Sequence, residues 1–503
     1  MPENTNAADV VIVGGGSAGA VLAARLSEDP SRQVILLEAG NAYALDAIPD
    51  ELLNADVVAD PQHDWGYVSR GNARNPEIAT PRGKALGGSS SVNAGVAIRA
   101  RRSDLDGWAD YGVDGWSYNE VLPTFKAMEN NPSGDDAFHG RTGPLSVRQR
   151  TDEDLTPGLL AFVDASVAYG FKRISDFNGA DQNGAGGYPM TVVDGQRQST
   201  AIAFLTAAVR KRPNLVIVGN VLVDRVLFDG ERAVGILAAD GAVYNAGEVI
   251  LSGGTYGSAA ILLRSGIGPA GELQSLGIGV IADLPVGQRL HDQPFFYNAY
   301  ALSTEHLQMS PAVGSLLWTA SSEAIGDELD LHITATHLMP GEYSPTGGAI
   351  VLAISVVRPE ARGTLRLAST NPSDPPVIDD NYLGTERDVR RMVEGVRISR
   401  AIGRLEPFAS VTAGEILPGD AVSDDDLTDV VVGNLQVYGH PTSTAPMGGP
   451  KDPYGVVDSV GAVKGLSSLR VVDASIIPEI PSTVTNLTTI MVAERIFQRV
   501  YGG

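Results

Sequence analysis

Three glycines, Gly14, Gly16 and Gly19, stand at G-x-G-x-x-G spacing between the apolar run Val10-Val11-Ile12-Val13 and the alanine-rich segment Ala20-Val21-Leu22-Ala23-Ala24-Arg25-Leu26. That spacing can hold a pyrophosphate: the first glycine permits a sharp turn, the second lets phosphates reach the backbone, and the third lets a helix pack on a strand. The free N–H groups and positive end of the helix then face the anion. A second apolar run, Val34-Ile35-Leu36-Leu37, ends in Glu38, 24 residues after Gly14. A carboxylate at such a strand tip accepts hydrogen bonds from a ribose hydroxyl and repels a 2′-phosphate. No Arg or Lys follows it closely, so an NADP-type ligand is disfavoured, and FAD and NAD both stay open on these residues.

A second unusual stretch is Pro81-Arg82-Gly83-Lys84-Ala85-Leu86-Gly87-Gly88-Ser89-Ser90-Ser91-Val92-Asn93-Ala94-Gly95. Residues this small build no side-chain core; their use is to bring backbone N–H groups against something flat or anionic.

The elements that must position these residues follow from periodicity. Residues 10–26 read as strand, tight turn and helix. The stretch 41–82 carries Pro49, Pro61, Pro76 and Pro81, which exclude long helices, and a long excursion at this place covers the ligand. Helices are expected within 100–130 and over 200–212. Hairpin strands are expected at 215–218, 221–228 and 233–237, and a strand over 248–251 meets Gly253 and Gly254 before a helix over 258–265. The texture changes over 290–430, with strands around 298–302, 330–338 and 350–357 and helices near 387–402 and 424–432. The run Leu469-Arg470-Val471-Val472 then returns the chain to the nucleotide sheet.

The predicted fold is therefore α/β: a Rossmann-like dinucleotide domain interleaved with a smaller α+β substrate domain. The first would use residues 1–150, 200–289 and 431–503, and the second 151–199 and 290–430.

With 503 residues, two domains are the prior. There are 37 basic and 60 acidic residues, a formal charge of −23 that argues against nucleic acid and anionic membranes. Cysteine is absent, which removes disulfides, thiolate metal sites and Cys nucleophiles, and no metal site is expected. The N-terminus has no basic region before its apolar run, and no segment approaches the ~20 apolar residues of a membrane span. A cytoplasmic protein, monomeric or a small homo-oligomer, is the expectation.

Four ordered stretches together resemble the glucose–methanol–choline (GMC) family of FAD-dependent alcohol oxidoreductases. The first is Gly83 to Asn93 continuing to Arg99. The second runs from Gly254-Thr255-Tyr256-Gly257-Ser258 to Gly266-Ile267-Gly268, departing from the family pattern at Ala259. The third is His440-Pro441-Thr442-Ser443-Thr444-Ala445-Pro446-Met447-Gly448, with Ser443 where the family has glycine. The last is Pro481 to Glu494, with Val484 replacing the first Asn of the family pattern.

The resemblance implies FAD and assigns residues to it. Gly14, Gly16, Ser17 and Ala18 would hold the pyrophosphate, Glu38 the adenosine ribose and the Val223 backbone the adenine. Gly88, Asn93, Ala94 and Val96 would line the isoalloxazine side, Asp473 and Ala474 the ribityl and phosphate, and Leu487 and Thr488 the pyrimidine edge. Some family members tether FAD through a His where this chain has Val92, so non-covalent FAD is expected.

Hydride transfer from an alcohol carbon to flavin N5 needs the hydroxyl proton removed by a base near neutral pKa, and His is that side chain. Of seven His, only His440 opens a family-like motif, so the resemblance makes it the base. Asn486 matches the second catalytic position, where an amide could hydrogen-bond the substrate oxygen without competing for the proton. The expected reaction is oxidation of a small aromatic or heteroaromatic primary alcohol, of the benzyl, furfuryl or pyridoxine type, to an aldehyde, with O2 as acceptor. Alternatives are a choline- or aliphatic-alcohol-type dehydrogenase using another acceptor, and a hydroxynitrile-lyase-type flavoprotein. Trp65, Tyr67, Phe295, Phe296, Trp318 and Tyr438 are candidate pocket aromatics.

Overall fold

The computed structural model describes residues 6–307 and 309–502. The chain opens as its glycines require. Strand Ala7–Val13 runs into helix Gly19–Leu26, and the fully buried Val21, Leu22 and Leu26 seal it against the sheet. Burial of each such side chain contributes roughly 1.5–3 kcal/mol. Gly14 sits at φ +97°, and a Cβ there would lie 2.4 Å from the Ser252 carbonyl oxygen. A Cβ on Gly19 would lie 1.9 Å from the Gly14 oxygen, so the turn admits no side chain at either position.

Ala7–Val13 is flanked by parallel strands Val34–Leu37 and Val243–Leu251, and Leu215–Val218 pairs in parallel beyond Val34–Leu37. Strands Val223–Asp229 and Arg232–Ala238 add an antiparallel hairpin beside residues 243–245. Strand Leu469–Val471 joins the far end of the same edge at Val249–Leu251. The late run at 469 thus returns to the first sheet, as expected.

Two local expectations change. Leu215–Val218 belongs to the parallel sheet rather than to a hairpin, because Asn214 Nδ2 donates to the Ser27, Asp29 and Arg32 carbonyls at 3.2, 2.9 and 2.9 Å and anchors the strand start beside Val34. The helix over 200–212 is two short helices, Thr200–Ala203 and Ala207–Arg210. Thr206 separates them, its side chain accepting from the Val209 N–H as a new N-cap.

A second sheet is antiparallel, in the order Thr412–Leu417, Pro294–Leu302, Ala349–Val356, Leu331–Thr336, Val313–Thr319 and Gly184–Gly187. Helix Glu386–Gly403 covers one face, capped where the Thr385 side chain accepts from the Asp388 N–H. It approaches so closely that a Cβ on Gly395 would meet Ile354 Cγ2 at 2.6 Å. The other face carries Phe295, His332 and Trp318, in register through Ser355.

A smaller sheet joins Val68–Arg70 and Glu77–Ala79 to Val377–Asp379 and Thr364–Arg366. The proline-rich excursion at 41–82 is therefore pinned by backbone hydrogen bonds to the 290–430 region. No helix among the described residues is long and apolar enough to cross a membrane.

Candidate active site

The fold brings the glycine-rich stretches together at one end of a cleft. The Gly87 N–H donates to the Gly15 carbonyl at 2.7 Å, and a Cβ on Gly88 would lie 2.7 Å from Gly16 Cα. A Cβ on Gly16 would meet only Gly88 Cα, at 3.7 Å, so the absent side chain leaves the Gly16 Cα side of the backbone open to a ligand.

Glu38 lies at the strand tip as expected. Its carboxylate accepts the Gly15 and Gly40 N–H groups, each at 2.8 Å. Burial pushes it up to about 7 against the pull of those N–H groups and of Lys84. Val223 opens the hairpin strand, buried, and its carbonyl accepts Arg264 at 3.4 Å.

Asn93 Oδ1 accepts the Gly95 N–H at 2.9 Å, and Ala94 and Val96 pack beside buried Val484 together with Tyr438. Leu487 is buried on the first turn of helix Asn486–Val500, and beside it Thr488 Oγ1 is buried without a hydrogen-bond partner. Asp473 is saturated from within the protein: its carboxylate accepts the Gly254 N–H at 2.8 Å, Ser258 Oγ at 2.6 Å, and the Ser475 N–H and Oγ at 2.8 and 2.5 Å. It ties two helix starts together, and any contact of 473–474 with a ligand falls to the backbone. Ala474 gives its carbonyl to the Ser443 N–H at 3.3 Å.

The reaction end is built on His440. Its backbone N–H donates to Asp292 Oδ1 at 2.7 Å, and its Nδ1 is 2.7 Å from Gln293 Oε1. The ring lies 4.2 Å from the Tyr438 ring at 57°, and Tyr438 stacks on Phe295 at 4.1 Å and 14°. His332 Nδ1 is 3.4 Å from the Tyr438 hydroxyl, and Trp318 meets the His332 ring edge-on at 4.8 Å. Arg82 donates to the Gly439 carbonyl at 2.7 Å, one residue from the imidazole. Burial pushes His440 well below the ordinary imidazole value, and the Arg82 charge adds to that. The ring is neutral. Nε2 makes no hydrogen bond among the described residues, and His440 remains partly open to the cleft. The arrangement is a neutral imidazole set against aromatic rings.

His440 and Asn486 share no hydrogen bond among the described residues. Asn486 Oδ1 accepts Ser17 Oγ at 2.8 Å, which puts the amide on the glycine loop. Val484, two residues earlier, belongs to the apolar cluster against which Tyr438 and Ala94 pack. The carbonyl oxygen of Asn486, expected to face the substrate oxygen, is thus engaged by Ser17. Ser17 is accounted for by the same bond, and Ala18 immediately precedes helix Gly19–Leu26.

Gln293, His332 and Arg82 escaped assignment from sequence. Arg82 at least lay inside the small-residue stretch 81–95, whereas no local pattern distinguished Gln293 or His332.

A family model described as GMC oxidoreductase matches residues 8–295, and its C-terminal counterpart matches residues 359–493. An oxygen-dependent choline dehydrogenase of Vibrio vulnificus is 35% identical, covering 97% of this chain and 93% of the relative. An alcohol dehydrogenase [acceptor] of Pseudomonas putida is 36% identical, covering 97% and 94%. The crystal structure of pyridoxine 4-oxidase from Mesorbium loti superposes with a TM-score of 0.90 at 32% identity, covering 99% of each chain.

Proposed function

The chain belongs to the GMC oxidoreductase family, FAD enzymes acting on CH–OH donors, and from that premise we propose that it oxidises a small, uncharged aromatic or heteroaromatic primary alcohol to its aldehyde. The cleft fits FAD: the bare Gly16 backbone and the orphaned Thr488 hydroxyl offer contacts that nothing in the protein takes up. Gly14, Gly16, Ser17 and Ala18 would meet the pyrophosphate, Glu38 and Val223 the adenosine end, and Gly88, Asn93, Ala94, Val96, Leu487 and Thr488 the ring end. Val92, at the tether position, packs with Leu52 and Ala85 and offers no nucleophile, which supports non-covalent binding.

Bound FAD supplies the two-electron sink for this chemistry. His440 Nε2 takes the hydroxyl proton as the carbinol hydrogen leaves with its electron pair, and the aldehyde remains. The neutral ring is ready to accept that proton, and the aromatic wall keeps water from competing for it.

The Phe295–Tyr438–His440 stack carries the substrate reading. No carboxylate pairs with the His440 ring among the described residues: Asp292 is turned to its backbone N–H, and the Arg82 cation at Gly439 disfavours a quaternary ammonium. The pyridoxine 4-oxidase likeness supports a heteroaromatic substrate and, with the oxygen-dependent relative, O2 as acceptor.

An anaerobic panel of benzyl, furfuryl and pyridoxine alcohols against choline and aliphatic alcohols, read as bleaching of the ~450 nm flavin band, tests the proposal. Bleaching by aromatic members is expected. Bleaching by choline alone would overturn the substrate class, and cyanide release from a cyanohydrin without bleaching would overturn the reaction class.

A further inference from the structure

We infer that Gln293 is a positioning residue that fixes the tautomer of His440, holding the proton on Nδ1 and leaving the lone pair of Nε2 free to act as base. The inference rests on the reading of His440 as the base, and its first test does not.

Gln293 is completely buried, and its two amide ends meet different surroundings. Its Nε2 faces three backbone carbonyls, those of Val357, Pro481 and Thr483, at 2.8, 2.9 and 3.4 Å. These groups can only accept, so the amide nitrogen must point to them. Turned the other way, the amide would set its oxygen against three oxygens and leave buried groups unpaired, which is costly away from water. Oε1 is thereby held toward His440 Nδ1 at 2.7 Å. An amide oxygen only accepts, so Nδ1 must donate. A neutral imidazole has one N–H, and its remaining lone pair then lies on Nε2.

The backbone prevents the ring from escaping this pairing. Residues 291–293 run antiparallel to 438–442: the Tyr438 N–H donates to the Gln293 carbonyl at 3.1 Å, and Thr442 and His291 exchange N–H bonds at 2.8 and 3.2 Å. Between them the His440 N–H is held by Asp292 Oδ1, whose second oxygen accepts the Tyr382 hydroxyl at 2.7 Å.

An amide also differs from a carboxylate in what it does to the protonated ring. It accepts the Nδ1 hydrogen bond without adding negative charge, so the imidazolium gains no ionic partner there. The titratable and charged groups facing His440 are Arg82, His332, Tyr438 and, behind its backbone, Asp292. None supplies a carboxylate to the ring.

The FAD-loaded protein, labelled with 15N at its seven histidines, gives the test. With His440 identified by loss of its signals in His440→Asn, the wild type should show protonated Nδ1 and bare Nε2. A wild-type signal with the proton on Nε2 would overturn the inference whatever any variant does. Gln293→Met should populate the other tautomer and slow flavin reduction roughly 10- to 100-fold, the range seen when a group behind a working histidine is removed. Gln293→Glu should move the acid limb of the flavin-reduction pH profile upward by about one unit or more as the ring gains an anionic partner. Wild-type tautomer and pH profile in both variants would also overturn it. If His440→Asn reduces flavin normally, the base assignment fails, while the tautomer measurement stands on its own.

Discussion

His139 and His440 are both enclosed by protein, yet the fold holds them in opposite protonation states. His139 Nε2 is 2.8 Å from Asp176 and its Nδ1 is 3.2 Å from both oxygens of Glu129, which also pairs with the buried Arg99. Burial pushes His139 down, but the two carboxylates outweigh it and hold the ring at about 9. His440 meets an amide oxygen and an aromatic ring instead, with Arg82 nearby, and burial keeps it neutral. Burial alone therefore does not decide what a histidine does. The first is a cationic clasp holding residues 129–139 to 176, and the second is a neutral imidazole, as the base proposed above must be.

The comparison breaks most sharply at His440. His440→Ala should slow flavin reduction by about 10²- to 10⁴-fold, the usual contribution of a positioned acid or base, with FAD still bound. Stopped-flow absorbance measures this, and near-normal reduction would remove the basis for separating the two sites.

The clasp should fail in the other currency. Glu129→Gln leaves Arg99 and His139 short of a buried counter-charge and should cost roughly 3–5 kcal/mol in denaturant unfolding. Flavin reduction in the folded fraction should stay within about threefold of wild type. A large loss of rate without loss of stability would make that cluster part of the chemistry.

A smaller effect separates the two ends of the active cleft. Asn486→Ala removes the bond to Ser17 and should weaken FAD retention by roughly tenfold or less, as a single hydrogen bond of ~1 kcal/mol allows, while the reduction rate at saturating FAD changes little. A collapse of the rate with FAD fully bound would restore Asn486 to the substrate.

The two classes of histidine also predict opposite wings in the pH dependence of stability. His139, raised to about 9 from an ordinary 6.5, contributes stability that is complete below pH 6.5 and lost as pH rises toward 9. His291 and His332, pushed to about 3 by burial, are neutral in the fold, so their stabilising contribution holds above pH 6.5 and is lost as pH falls toward 3. Thermal unfolding across pH should show both wings, and Glu129→Gln should flatten only the alkaline one.

Much of the cofactor end was legible in the residues because its requirements are local. Gly14 must take a positive φ, and Gly14 and Gly19 must admit a neighbouring backbone; such needs show as glycine spacing over a few positions. Glu38 follows from its place at a strand tip. His440 was legible only through the motif it opens. The bond of Asn486 to Ser17 was not legible, because spacing along a motif does not say what a helix start faces, and the bond crosses 469 residues of chain. The proline-rich excursion carried no sign that its strands pair with Val377–Asp379.

By itself the sequence determined the strand–glycine–helix entry and the two-sheet α/β plan, both set by short-range sterics and periodicity. Only the tertiary structure decided which nitrogen of His440 meets an amide oxygen. Its partner Gln293 lies 147 residues away, and the amide is oriented by three carbonyls from two further segments. A hydrogen-bond direction is a property of atoms brought within 3 Å, and no spacing along the chain encodes it.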